Sequence, residues 1–135
     1  MNTPSQRFPR DARLLRRADF QRVYEYGRRH FSKSMTVFYL LRAIGLEDPV
    51  DGVTASARIG ITVGRVLGKA VERVRIKRRI RNAVRLHLAM LKAPADLVIN
   101  PKRAVLKVEF TKLEEEIQRT FEVVNQKAKL PMDDR

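Results

Sequence analysis

The sequence has no cysteine. Disulfides and thiolate metal sites are therefore excluded, and the chain suits a reducing cytoplasm, its expected location. Acidic residues are scarce, 15 against 29 Lys and Arg, which leaves a net charge of +14. Long apolar runs are missing. None approaches the roughly 18 residues of a membrane span, and the opening MNTPSQRFPRDAR lacks the apolar core of a secretory signal. No internal repeat and no low-complexity tract is present. The two histidines, His30 and His87, lie far apart. No motif supplies paired carboxylates, a nucleophile with its base, or a His-rich metal site. No catalytic and no metal-ligating residue is therefore predicted in this chain. The run Glu114, Glu115, Glu116 reads as a solubilising helix surface.

What is present is a concentrated positive charge. A chain of 135 residues makes one domain with a modest core. The domain expected is 1–135, with a flexible N-terminal arm over about 1–13 and a frayed tail over about 127–135. A pI near 11.0 predicts a large polyanionic partner whose binding weakens steeply in salt. The charge is densest from Arg65 to Arg85, RVLGKAVERVRIKRRIRNAVR, where nine Lys or Arg face one acid, Glu72. Apolar residues interrupt it at helical spacing. With about 100° per residue, Ile76, Ile80, Ala83, Val84 and Leu91 gather on one side. Arg78, Arg81 and Arg85 gather opposite, flanked by Arg75 and Arg79. Such a stripe matches regularly spaced phosphates, which guanidinium groups bind through paired hydrogen bonds. Without an anion the stripe would repel itself. The helix is expected to run to about Leu91, with Pro94 ending it.

The remaining elements follow in order. LLRRADFQRVYEYG predicts a short helix that stops at Gly27, with Asp19 in its first turn, where a carboxylate suits the helix dipole. Phe20, Val23 and Tyr24 share one face of it. Ser34 to Ala43 predicts a strand, with Met35, Val37, Tyr39 and Leu41 on one face and Thr36, Phe38, Leu40 and Arg42 on the other. Residues 44–57 form an acidic loop with a Pro and two glycines. Arg58 to Gly64 is a second strand. Its Gly60, Thr62 and Gly64 face is nearly bare, either for an approaching RNA backbone or for a tightly packed helix. Asp96 to Pro101 is a short buried strand, and strand–helix–strand order implies a parallel crossover. Residues 104–110 are a short strand or an extended linker. Thr111 and Glu114 match a capping box, and Leu113, Ile117, Phe121 and Val124 give the last helix one apolar stripe. His87 projects to the apolar side of the basic helix and reads as a packing residue.

The basic stretch resembles the signature of the protein subunit of bacterial ribonuclease P, roughly G-x-A-V-x-R-N-R-x-K-R-x-x-R. The matching residues are Gly68, Ala70, Val71, Arg73, Arg75, Lys77, Arg78 and Arg81, with Val74 where the family has Asn. The flanks extend the likeness over most of the chain. The resemblance implies an α+β fold, a single-domain α-β-β(-β)-α-β-α sandwich on a central mixed sheet. That architecture is ribosomal-protein-S5-domain-2-like and carries an unusual left-handed crossover. It implies a role as accessory subunit of a tRNA-processing endoribonuclease. The RNA subunit would hold the catalytic Mg²⁺ together with the substrate and cleave the precursor tRNA 5′ leader. The partners implied are that RNA subunit, one to one, and precursor tRNA, with no membrane and no obligate protein partner. The residues implied for docking the RNA subunit are Arg65, Lys69, Arg73, Arg75, Lys77, Arg78, Arg81 and Arg85. Those implied for the leader are Arg13, Phe20, Tyr24 and Phe38, although a core Phe38 satisfies the alternation equally. The family usually has Ser-Lys-Lys after the second strand; here Gly64, Arg65 and Val66 leave one expected basic contact missing.

Two other readings fit the composition. One is a ribosomal or ribosome-assembly protein. The other is a DNA-binding regulator, disfavoured because the basic helix has no partner helix across a tight turn. The signature separates the first reading from both.

Overall fold

The structure, a computed structural model, describes residues 12–42 and 57–133, with side chains to residue 128. Three helices and four strands follow in the order α1 (Arg17–Tyr26), β1 (Arg28–Phe31), β2 (Met35–Leu41), β3 (Arg58–Ile61), α2 (Ala70–His87), β4 (Ala95–Pro101) and α3 (Phe110–Asp133). Single 3₁₀ turns cover Arg65–Leu67, Leu88–Met90 and Arg103–Leu106. The sheet order is β1-β2-β4-β3, with β2 antiparallel to β1 and β4, and β3 parallel to β4. This is the expected mixed α+β architecture. The third strand before the basic helix is β1, RRHF, whose alternation is too short and too charged to stand out in the sequence.

The main core lies between the sheet and the α2/α3 layer. From β2, Met35, Val37 and Tyr39 point into it, as the alternation requires. From α2 come Ile76, Ile80, Ala83 and Val84, and from α3 the full stripe Leu113, Ile117, Phe121 and Val124, all without measurable exposure. Two helices therefore bury their apolar faces on one sheet face, which is what two amphipathic helices need.

Among the described residues the other sheet face is covered only in part. Helix α1 lies across it, and Leu14, Val23 and Val98 form a second small core with Phe20, Phe38 and Leu40 around it. Gly60 permits this approach. A Cβ at that position would overlap the tip of the Phe20 ring and press on Leu14. At Gly60 the bare strand face is therefore filled by a helix, while Gly64 faces open space. Leu14 donates its N–H to the Ile59 carbonyl at 3.0 Å, and Arg13 bridges Ile59. Ala12 is buried too, so the chain is already tied down at the end of the expected arm.

Several local expectations are corrected. Residues 104–110 are neither strand nor linker. A 3₁₀ turn carries buried Val105 into the core, and Phe110 already opens α3. Thr111 therefore sits inside the helix and no capping box forms there; Glu109 accepts the first bonds, from the N–H groups of Lys112 and Leu113. Glu116 is no solubiliser. Its carboxylate accepts from the Ser32 and Ser34 hydroxyls at 2.8 Å each and from the Ser34 N–H at 2.9 Å, which ties the β1–β2 turn to α3. The second strand ends at Ile61, although Thr62 still donates to the Ile99 carbonyl. Helix α3 runs to Asp133, past the point where a frayed tail is expected. The acidic loop lies, apart from Ala57, outside the described residues.

A buried carboxylate fixes the far end of the sheet. Asp96, 1% exposed, receives Arg42 at 2.7 Å and both Nε and Nη2 of Arg58 at 3.0 and 2.9 Å. Asp19, at the start of α1, stands 3.6 Å from Arg58 and joins the helix to this network.

Two substitutions test this packing. Gly60→Val should destabilise the protein by about 1–3 kcal/mol through overpacking against Phe20, read as a lower urea midpoint at unchanged slope. Asp96→Ala should cost about 2–4 kcal/mol by taking away the carboxylate that two guanidinium groups share, discounted from the fully buried case because both arginines reach solvent.

Candidate nucleic-acid interface

Helix α2 presents the first surface. Its start is shaped by Gly68, whose φ of 135° is the one left-handed backbone among the described residues. The turn lets Glu72 reach back to the Lys69 N–H at 3.0 Å. Glu72 is then held by Arg103 at 2.9 Å, while Arg103 also donates to the Leu67 carbonyl at 2.6 Å. The hydrogen bond from Arg103 and that from the Lys69 backbone hold this carboxyl down at about 2, against an ordinary 4.5. A carboxyl depressed in this way keeps its contact above the ordinary value and loses it as pH falls from about 4.5 towards 2. The one acid of the stretch is therefore spent on Arg103, outside the helix.

The basic residues of α2 then divide by their neighbours. Arg75, Lys77, Arg78 and Arg81 are exposed, as are Arg65 and Lys69 before the helix. None of these six forms an ion pair with a described carboxylate. Arg73 is half-buried and donates its Nε to the Gly68 carbonyl at 3.1 Å, stiffening the turn. Arg85 is half-buried. Arg79 does not belong to the exposed stripe. It donates to the carbonyls of Val105 and Val108 at 3.0 and 2.6 Å and lies over the Phe110 ring at 6.0 Å. It satisfies the carbonyls at the end of a 3₁₀ turn, which sequence spacing alone does not reveal. Val74 is 55% exposed on the charged side, so the helix phase does not bury it. His87, on the opposite side, meets Gln118 at 3.1 Å and Glu114 at 3.5 Å, a packing role.

The second surface is the part of the sheet that α1 leaves uncovered. Strand register places Arg29 opposite Phe38, Phe31 opposite Thr36, and Thr36 opposite Asn100, all on the α1 side. Tyr24 closes the border from α1, edge-on to Phe38 at 4.9 Å and 81°. The Arg29 guanidinium lies 5.8 Å from the centroids of both Phe31 and Phe38. Tyr24 is 41% and Phe31 64% exposed, so two aromatic rings face solvent beside a cation. Phe20 is half-buried, its ring on Gly60, and forms the floor. Arg13 is half-buried beside Ile59, on the far edge strand. The structure thus brings Phe20, Tyr24 and Phe38 together. It adds Arg29, Phe31 and Asn100, which the sequence reading passed over, and Thr62, which that reading placed only on the bare face of the second strand. Period-two alternation across an unrecognised β1 would have placed the first two.

Among the described residues no group of three or more His, Cys, Asp or Glu could hold a metal ion. Glu72 and Asp96 are engaged by arginines, so these two carboxylates do not fit Mg²⁺. No described helix is long and apolar enough to cross a membrane.

Comparison with known proteins bears on both surfaces. The ribonuclease P family model matches residues 8–125. A ribonuclease P protein component from Maridesulfovibrio salexigens is 36% identical over 96 residues, covering 71% of each chain. One from Desulfovibrio desulfuricans is 42% identical over 96 residues, covering 70% of this chain and 67% of the relative. Among solved structures, the RNase P protein of Thermotoga maritima superposes with a TM-score of 0.67 at 24% identity, covering 83% of this chain and 96% of that one. That of Staphylococcus aureus gives 0.65 at 23% identity, covering 83% and 94%. The structural likeness supports the fold, and the family match, which spans far more than half the chain and both surfaces, carries the assignment: this chain belongs to the ribonuclease P protein family.

Proposed function

We propose that the protein is the accessory subunit of ribonuclease P and acts in tRNA processing by binding two RNAs at once. The basic face of α2 docks the catalytic RNA subunit, and the aromatic sheet face holds the single-stranded 5′ leader of precursor tRNA. The observation that carries this reading is the set of six exposed cations, Arg65, Lys69, Arg75, Lys77, Arg78 and Arg81, none within salt-bridge distance of a described carboxylate, with only Lys69 near one, Glu72. Arg73 and Arg85 lie at the margin of that face and extend it.

The mechanism is a division of labour. The RNA subunit and the substrate are both polyanions, and bringing them together costs electrostatic work. A cationic protein surface between them screens that repulsion. The exposed rings of Tyr24 and Phe31, with Phe38 behind them, offer stacking surfaces to unpaired bases. Stacking tolerates any base, which suits a processor of many tRNAs. Arg29 places a positive charge where the leader backbone would pass. Mg²⁺ would be held by the RNA subunit and substrate, where it would activate water for cleavage. The residues of this chain hold and orient the leader.

Affinity for a bacterial ribonuclease P RNA, measured against salt, tests the docking surface. If about six phosphates are neutralised, log Kd against log salt should have a slope magnitude on the order of 4 to 5, and each of Arg75→Ala, Arg78→Ala and Arg81→Ala should reduce it by roughly one. A flat response would reject the proposal. Val74 offers a gain-of-function test. It is exposed among the arginines but makes no side-chain hydrogen bond, so Val74→Asn should tighten docking by roughly 0.5–2 kcal/mol without changing the unfolding midpoint. Unchanged or weaker binding would show that position 74 is not at the RNA contact.

A further inference from the structure

The basic face of α2 begins before the helix does. Arg65 and Lys69 sit on the turn ahead of Ala70, and the core that locks the rotation of α2 does not reach them. No residue of Arg65–Leu67 is buried, and only Leu67 packs on the core, in part. The positive end of the helix dipole also pushes cations away from this point.

Polar ties hold the turn instead. Arg103, in the 3₁₀ turn after β4, donates Nη1 to the Leu67 carbonyl at 2.6 Å and sets both Nη groups on the Glu72 carboxylate, at 3.2 and 2.9 Å. Glu72 in turn accepts from the Lys69 N–H at 3.0 Å. Gly68 leaves the room this needs, because a Cβ there would overlap both Glu72 and Arg103. From the other direction, Arg79 reaches out of α2 to the carbonyls of Val105 and Val108. The start of α2 and the β4–α3 connection are thus cross-tied by a guanidinium from each side. An exposed ion pair of this kind adds little to folding stability. A carboxylate beside phosphate-binding cations also works against RNA. What the pair does accomplish is to fix the turn that carries Arg65 and Lys69.

We infer that Glu72 and Arg103 are positioning residues for RNA docking: their clasp holds Arg65 and Lys69 on the docking face before the RNA arrives, so that binding does not have to order them. The inference rests on the docking reading of α2 and goes beyond it, since it assigns neither Glu72 nor Arg103 a contact with RNA.

The test is the affinity of the full chain for a bacterial ribonuclease P RNA, with the urea midpoint as control. Charge alone predicts that Glu72→Ala tightens binding, because an acid leaves a surface that meets phosphates. The clasp predicts the opposite sign, a loss of roughly two- to fivefold, the reach of an exposed ion pair. Arg103→Lys keeps the charge but not the fork and should lose about as much. In a protein already carrying Arg65→Ala and Lys69→Ala, Glu72→Ala should no longer weaken binding. Tighter or unchanged binding in Glu72→Ala, full affinity in Arg103→Lys, or a loss that persists without Arg65 and Lys69 each overturns the inference. If Glu72→Ala lowers the urea midpoint, Arg103→Lys decides, because it leaves the Glu72 bond to Lys69 in place. If the unaltered protein binds equally well at all salt concentrations, the docking reading itself fails. If its binding weakens with salt but Glu72→Ala binds no worse, the role of the clasp alone fails.

Discussion

Everything in this protein depends on a positive charge that the fold declines to neutralise. Helix α2 is locked in rotation by Ile76, Ile80, Ala83 and Val84, none of which has any measurable exposure. With that face fixed, Arg75, Lys77, Arg78 and Arg81 have no choice but to point outward. Like charges on one helix repel at spacings of three and four residues. The fold tolerates this because the apolar stripe stabilises the helix independently of its surface. The single acid nearby, Glu72, is drawn off the helix by Arg103 and so leaves the repulsion intact. A surface of this kind is a loaded contact for an anion.

The sheet then separates two kinds of work. One face carries the main core and the α2/α3 layer. The other is covered, among the described residues, by α1, which is held close at one end by Gly60 and by the Asp19–Arg58–Asp96 network. Beside α1 the described residues leave a mixed patch of aromatic rings, one arginine and an amide. Rigidity matters here, since a stacking platform set on strands keeps its shape when unoccupied and loses little entropy on binding.

Much of this was legible in the sequence, wherever periodicity was strong. The stripes of α2 and α3 and the alternation of β2 are long enough to fix both element and buried face. The signature around Gly68 located the basic surface before any geometry was available. Short elements were harder. Four residues of β1, two of them arginines, carry too little hydrophobic contrast, so Arg29 and Phe31 could not be placed on the aromatic sheet face. Residues 104–110 alternate like a strand, yet Val105 is buried by a 3₁₀ turn because the chain must step directly from β4 into α3. Arg79 looked like a member of the stripe, and only the fold brings it to the carbonyls of Val105 and Val108. The partners of Asp96 and Glu116 are likewise tertiary, across separations of 38 to 84 residues, and no local pattern announces them.

The proposed division of labour is tested most directly by leader removal at low Mg²⁺, with the protein, ribonuclease P RNA and precursor tRNA combined and each omitted in turn. The account predicts mature 5′ ends from the complete mixture at a Mg²⁺ concentration where the RNA subunit alone is slow, and none from the protein alone. Maturation by the purified protein without the RNA subunit, or no gain from adding it, would contradict the account.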